Sequence, residues 1–189
     1  TTPGEARLES VNNSLSAMGF PVNTTVVELG ERELVQRLAK TSSLPSENER
    51  TKFFDIAKRV EPMHWAVRHF ERWLLALEKN GGFDAVGRMH LTYVFRHTRQ
   101  LEKAIKTSVV VEFGGRFKCP PQLLSIIATI RAASLLDVFE LHNDPEILVI
   151  AKKTLGKAWA NQQSDEKSAV YRRLDNYKRM LEEQDYRRR

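Results

Sequence analysis

The residues able to do chemistry are scattered. Five histidines, His64, His69, His90, His97 and His142, are spread over almost eighty positions. None falls in an H-E-x-x-H arrangement, which sets two imidazoles one turn apart on a helix with a general base between them. His90 and His97, seven residues apart, can share a helix face, but a metal site takes more ligands than this pair supplies. The single cysteine, Cys119, precedes Pro120-Pro121 and has no His or Asp beside it in the sequence to take its proton, so it is expected to be an inert thiol. One cysteine forms no intrachain disulfide, which fits a reducing, intracellular compartment. The glycine pairs Gly81-Gly82 and Gly114-Gly115 lack the lysine of a phosphate loop and the spacing of a dinucleotide fingerprint, and no G-x-S-x-G elbow occurs. Acidic residues lie mostly among bases, as on a solvated helix surface. The residues thus nominate no catalytic group, no metal ligand and no cofactor, and the chain is expected to be non-enzymatic.

What the sequence offers instead is charge and apolar stripes. The chain has 30 Lys and Arg against 24 Asp and Glu, a net charge of +6. A basic balance favours anionic partners: acidic or phosphorylated protein segments, or a nucleic-acid backbone. The excess concentrates between residues 88 and 118, where seven bases face two acids, Glu102 and Glu112. Within it Arg96, Arg99, Lys103 and Lys106 recur at i, i+3, i+7 and i+10, which on one helix makes a basic stripe. Such a stripe is either a docking face or an ordinary solvated one. Trp65 lies off the main apolar stripe of its segment, and Trp159 closes another; each is a candidate anchor or the edge of a core. Base-specific readout is not indicated, since no zinc finger, RNP-type motif or clear helix-turn-helix is present.

These residues need elements to position them, and the patterning is helical nearly throughout. Residues 1–30 are interrupted by Asn12, Asn13, Gly19, Pro21, Asn23 and Gly30 and are expected to form a weakly structured lead-in, in which Glu5 to Met18 has the pattern of a short helix and Thr24 to Leu29 is extended or leads into the next helix. Ser46 to Glu49 has the form of a capping box. Met63, Ala66, Val67, Phe70, Trp73, Leu74 and Leu77 form a wide apolar stripe that Asn80-Gly81-Gly82 ends. A single long helix is expected from about Asp84 to Thr107. Val109-Val110-Val111 and Gly114-Gly115 leave residues 109–118 open between a helix end with an ordered loop and a short hairpin. Leu123 to Val138 is apolar around most of its circumference but broken by Ser125, Thr129, Arg131, Ser134 and Asp137, so it is expected to be a buried core helix and not a membrane span. Asp144-Pro145-Glu146 is a strong helix start. From Ser164 onward Val170, Leu174, Tyr177 and Leu181 make a narrow seam, suited to the domain's own core, to self-association or to another chain. The fold class is therefore all-α, a bundle of six or seven helices over residues 31–162 followed by a charged amphipathic helix at 163–189.

Residues 135–147, Leu135 to Ile147, followed by Ile150-Ala151-Lys152-Lys153 and Trp159, resemble the end of the transcription elongation factor IIS N-terminal-like domain, a leucine/tryptophan helical bundle related to integrase-binding-type domains. The resemblance spans roughly residues 123–160. It implies a nuclear scaffold in transcription or chromatin that binds short disordered acidic-hydrophobic motifs, with the basic stripe and a groove near Trp159 as docking surfaces. The expected function is accordingly a protein-interaction module in which an apolar anchor enters an inter-helix groove while Arg96, Arg99, Lys103 and Lys106 steer acidic residues. The alternatives are a nucleic-acid-binding domain using the same basic face, and a homodimerisation domain using Val170, Leu174, Tyr177 and Leu181.

Overall fold

The structure, a computed structural model, describes residues 1–115, 118–158 and 164–189, and among them every regular element is an α-helix. Nine helices are formed among the described residues, where six or seven are expected from the sequence. They fall into two compact units, Thr1–Thr98 and Arg99–Arg189. This partition differs from a lead-in, a bundle and a tail: the first thirty residues belong to unit 1, and the terminal helix belongs to unit 2.

Unit 1 contains α1 (Pro3–Ala17), α2 (Leu29–Lys40), α3 (Glu47–Arg59), α4 (His64–Lys79) and α5 (Ala85–His97). The lead-in is ordered from both ends. Thr2 Oγ1 accepts from the Glu5 amide at 3.1 Å and the Glu5 carboxylate accepts from the Thr2 amide, a complete capping box at the start of α1. Val11 and Leu15 then bury the helix against α2. The loop beyond is gathered by Arg32, which is buried and donates to Asn12 Oδ1 at 2.8 Å and to the carbonyls of Val22, Thr24 and Val27. A sequence pattern that scores apolar periodicity misses this segment because one buried guanidinium organises it. At the box expected from Ser46, Ser46 Oγ accepts from the Glu49 amide at 3.2 Å, and the Glu49 carboxylate reaches back to Ser46 and to Arg37.

The core of unit 1 is aromatic. Phe53 stands edge-on to Trp65, His69, Phe70 and Trp73, with ring centroids 4.9–5.9 Å apart. Trp65 is not an exposed anchor: it is 3% accessible, packs on Phe20, and donates its indole N–H to the Val60 carbonyl at 3.2 Å. Gly81, at φ +81, ends α4, with the Gly82 amide returning to the Leu77 carbonyl.

Unit 2 contains α6 (Leu101–Phe113), α7 (Pro121–His142), α8 (Pro145–Leu155) and α9 (Asp165–Arg188). α7 is its axis, packed against α6, α8 and α9. By length and mean hydropathy alone α7 is long and apolar enough to cross a membrane, but two-thirds of that stretch is buried, as the expected core helix requires. The α7–α8 corner forms as its residues dictate. Asn143 takes the left-handed conformation (φ 53) after α7, Asp144 caps the Glu146 amide at 3.0 Å, and Pro145 occupies the first helical position. α6 runs through Val109-Val110-Val111 to Phe113, so of the two alternatives the helix end holds, and the residues a hairpin would have used as its first strand, Val111 to Phe113, are helical. Arg116 and Phe117, which would complete that hairpin, lie outside the described residues. Local i→i−4 bonding outweighs β-branched propensity here because Val111 is buried on a helix whose inner face Leu101, Ala104, Thr107 and Ser108 already define.

Candidate functional site

The expected helix from Asp84 to Thr107 does not exist as one element. α5 ends at His97, Thr98 Oγ1 returns to the Val94 carbonyl at 2.9 Å, and Arg99 adopts φ 63 before α6 begins at Leu101. The basic stripe is thereby divided. Arg96 sits in the last turn of α5 in unit 1, whereas Arg99, Lys103 and Lys106 belong to unit 2. The i, i+3, i+7, i+10 register that would align all four holds only on a continuous helix.

Arg99 and Lys103 nonetheless line one concavity. Between the start of α6 and the end of α7 lies a groove of about 590 Å³, lined by Arg99, Gln100, Leu101, Glu102, Lys103, Ile105, Val138, Leu141 and His142. Leu101 and Ile105 are one turn apart on α6; Val138 and Leu141 are one turn apart on α7. These four make an apolar surface. Ile105 also touches the unit 2 core, and Leu141 is 61% accessible, an exposure that a core helix has no packing reason to give a leucine. Lys106 lies beyond the groove and pairs with Glu102 at 2.9 Å, both side chains well exposed.

A charge network underlies the Arg99 edge. Asp137, one residue before Val138, is buried, yet it lies 3.7 Å from Arg99 Nη1 and 2.9 Å from Arg173 Nη2. Arg173 reaches on to Glu140 at 2.8 Å, and the Tyr177 hydroxyl bonds the same carboxylate. That bond, opposed in part by burial and joined by Arg173, holds the Glu140 carboxyl below its ordinary range. On the other side of unit 2, Glu112 pairs with Arg131 and with Lys157 at 2.9 Å. Burial pushes the Glu112 carboxyl up, but Arg131 and Lys157 together bring it below its usual value.

The remaining sequence candidates are placed elsewhere. Val170 and Leu174 are buried against Phe139, Leu148, Ala151 and Leu155, and Tyr177 and Leu181 pack on the same cluster. The seam offered for self-association is thus filled by the chain's own α7 and α8. Trp159 lies outside the described residues. Cys119 is buried, and burial, with the Glu112 carboxylate, pushes its thiol above the ordinary value, opposite to what a nucleophile needs. His90 is stacked on Phe54 at 4.0 Å and His97 on Tyr93 at 4.2 Å. Among the described residues no three of His, Cys, Asp and Glu converge as a metal-ligand set.

Sequence patterning missed Asp137 and Leu141 as site residues. Asp137 was visible as an acid inside a run of apolar residues, which demands a cationic partner. Leu141 was visible as a leucine beside His142-Asn143 at a helix end, where side chains turn outward.

Comparisons with protein families, with characterised proteins and with solved structures find no match to this chain.

Proposed function

We propose that unit 2 is a non-catalytic interaction module whose α6–α7 groove receives an acidic, apolar segment of another protein. The observation that carries this is the groove's composition: Leu101, Ile105, Val138 and Leu141 form an apolar floor, and Arg99 and Lys103 stand on one edge. Apolar anchoring supplies affinity, and the edge selects carboxylates and speeds encounter. Charge bookkeeping agrees. Unit 2 has 17 basic against 12 acidic residues and unit 1 has 13 against 12, so nearly the whole excess lies in the unit with the groove. The resemblance of roughly residues 123–160 to the elongation-factor IIS N-terminal-like domain supports the same reading, and with it a place in a nuclear transcription or chromatin assembly.

The test is a selection of random peptides displayed on phage against the full chain, repeated with Leu141→Asp. Leu141 is largely exposed, so the variant retains the fold. The expected result is a consensus of Asp or Glu flanking Leu, Ile or Phe, with affinity lowered at least about 10-fold by Leu141→Asp, as for loss of an interface anchor. No such consensus, or one indifferent to Leu141→Asp, overturns the reading. Tight binding to unrelated duplex DNAs with a steep salt dependence, unaffected by Leu141→Asp, would put a nucleic-acid role in its place.

A further inference from the structure

We infer that Arg99 is the specificity-determining residue of the groove, fixed in place by Asp137, and that Lys103 and Lys106 serve only long-range attraction; the inference rests on the reading of the groove just given. Its starting point is a local conflict. Arg99 occupies a backbone position at φ 63, immediately after a helix end, where glycine or asparagine is the usual occupant because an L side chain is strained there. Gly81 fills the comparable position after α4, and Asn143 the one after α7. Gly19 does the same after α1, and at the fourth such position the sequence places a long cation instead. A residue held in a disfavoured conformation asks what its side chain does in return.

The surroundings answer in three parts. The guanidinium lies at the groove, among its lining residues. One of its terminal nitrogens, Nη1, is 3.7 Å from Asp137 Oδ2, and Asp137 cannot swing away, because it is 8% exposed and its other oxygen is held by Arg173 at 2.9 Å. Arg173 is anchored in turn by Glu140. The chain Glu140–Arg173–Asp137–Arg99 therefore runs from α9 and α7 to the groove and ends on a planar group with five donors, of which this ion pair engages one nitrogen. A guanidinium drawn toward Asp137 from a half-exposed position keeps its remaining donors for a carboxylate, which it meets two-pronged, the geometry that distinguishes arginine from lysine. Lys106 differs in kind. It is 74% exposed and paired within its own helix, so its contribution is to the field. Lys103 ends in an ammonium, a point charge without the planar fork of a guanidinium.

The two roles separate kinetically. A group that grips a carboxylate in the docked complex acts on dissociation, and one that acts through the field changes association and its salt dependence. The experiment uses the full chain and the consensus peptide recovered by the selection above, with rates measured by surface plasmon resonance at two salt concentrations. Arg99→Gly is expected to raise the dissociation rate about 10-fold or more while changing the association rate less than about 3-fold. Because glycine relieves the φ 63 backbone, the same variant is expected to unfold at an unchanged or higher temperature, a combination that a merely structural residue does not give. Arg99→Lys keeps the charge and is expected to lose most of the same affinity. Lys103→Ala with Lys106→Ala is expected to slow association and flatten its salt dependence with dissociation intact. Peptide dissociation unchanged in Arg99→Gly, or full affinity in Arg99→Lys, overturns the assignment and leaves the groove standing. A selection that returns no groove-dependent peptide overturns both.

Discussion

Two histidines in unit 1 are worth following proton by proton. His69 is 1% accessible and surrounded by Phe53 and Trp73, and neither ring nitrogen finds a hydrogen-bond partner among the described residues. Burial, helped by the nearby Arg72 and Arg68, pushes its pKa down to about 4; burial does the same for His90, against a weaker pull upward from Asp84 and Asp55. Both rings are therefore neutral in the fold at neutral pH. The unfolded chain takes up protons below its ordinary histidine pKa of about 6.5, so unit 1 loses stability as pH falls from there to about 4. A shift of this size is worth roughly 3 kcal/mol per group, and two approach the whole stability of a marginal domain, about 5–15 kcal/mol. Gly87 makes a second residue-scale case. A Cβ there would lie 2.5 Å from Asp84 Oδ2 and 2.9 Å from Leu74 Cδ2, and Asp84 both caps the Gly87 amide and pairs with Arg50 at 2.8 Å. Gly87→Ala gains about 1 kcal/mol of helix propensity, but displacing the cap and crowding Leu74 costs more. The expected net result is a loss of about 1–2 kcal/mol by urea denaturation, larger than the gain expected at an open helical glycine.

Elements bounded by their own chemistry were legible in advance. α4 declares itself by a wide stripe and a diglycine stop; α8 declares itself by Asp144-Pro145-Glu146. The division between α5 and α6 was hidden because neither glycine nor proline marks it. Thr98-Arg99-Gln100 reads as helix, and only the tertiary setting of Arg99 shows otherwise. With the division missed, the basic stripe looked like one face, and half of the candidate site was assembled on a helix that the chain does not make. α1 was legible as a short helix from about Glu5 to Met18, close to its Pro3–Ala17 bounds; what was hidden is the loop after it, gathered by Arg32, a charged side chain whose value lies in four hydrogen bonds rather than in periodicity. α9 was legible as a seam but not as to its partner. Because Leu174 is 2% accessible among Phe139, Leu148 and Leu155, Leu174→Ala is expected to destabilise unit 2 by about 2–5 kcal/mol in thermal unfolding, whereas a seam between copies would show a concentration-dependent midpoint.

Across the whole molecule the two units have different acid limits. Unit 1 is weakened between about pH 6.5 and 4 by its buried imidazoles. In unit 2 the groups displaced from their ordinary values include Glu112 and Glu140, both lowered by their cationic partners or, for Glu140, first by Tyr177. A carboxylate with a depressed folded pKa lends stability above its ordinary value of about 4.3 and loses it only as pH falls below that. The expected order on acidification is unit 1 first, then unit 2. Amide hydrogen exchange at pH 5 should show protection lost around Phe53 and Phe70 while it persists around Leu136 and Leu174; His69→Phe with His90→Phe should restore the former. Simultaneous loss in both units would contradict this assignment of the charges.

α7 also sets a timetable for biosynthesis. Its apolar circumference is covered by α6, which is made before it, and by α8 and α9, which are made after. From the moment His142 is polymerised, roughly 40 more residues must follow before Leu181 exists, which at about 5–20 residues per second takes on the order of seconds. Until α8 is complete at Leu155 the nascent chain presents this apolar helix with α6 alone of its three covering helices, and until α9 follows it lacks the third. Truncation ahead of α9 would leave bare only the part of α7 that α9 covers, around Phe139.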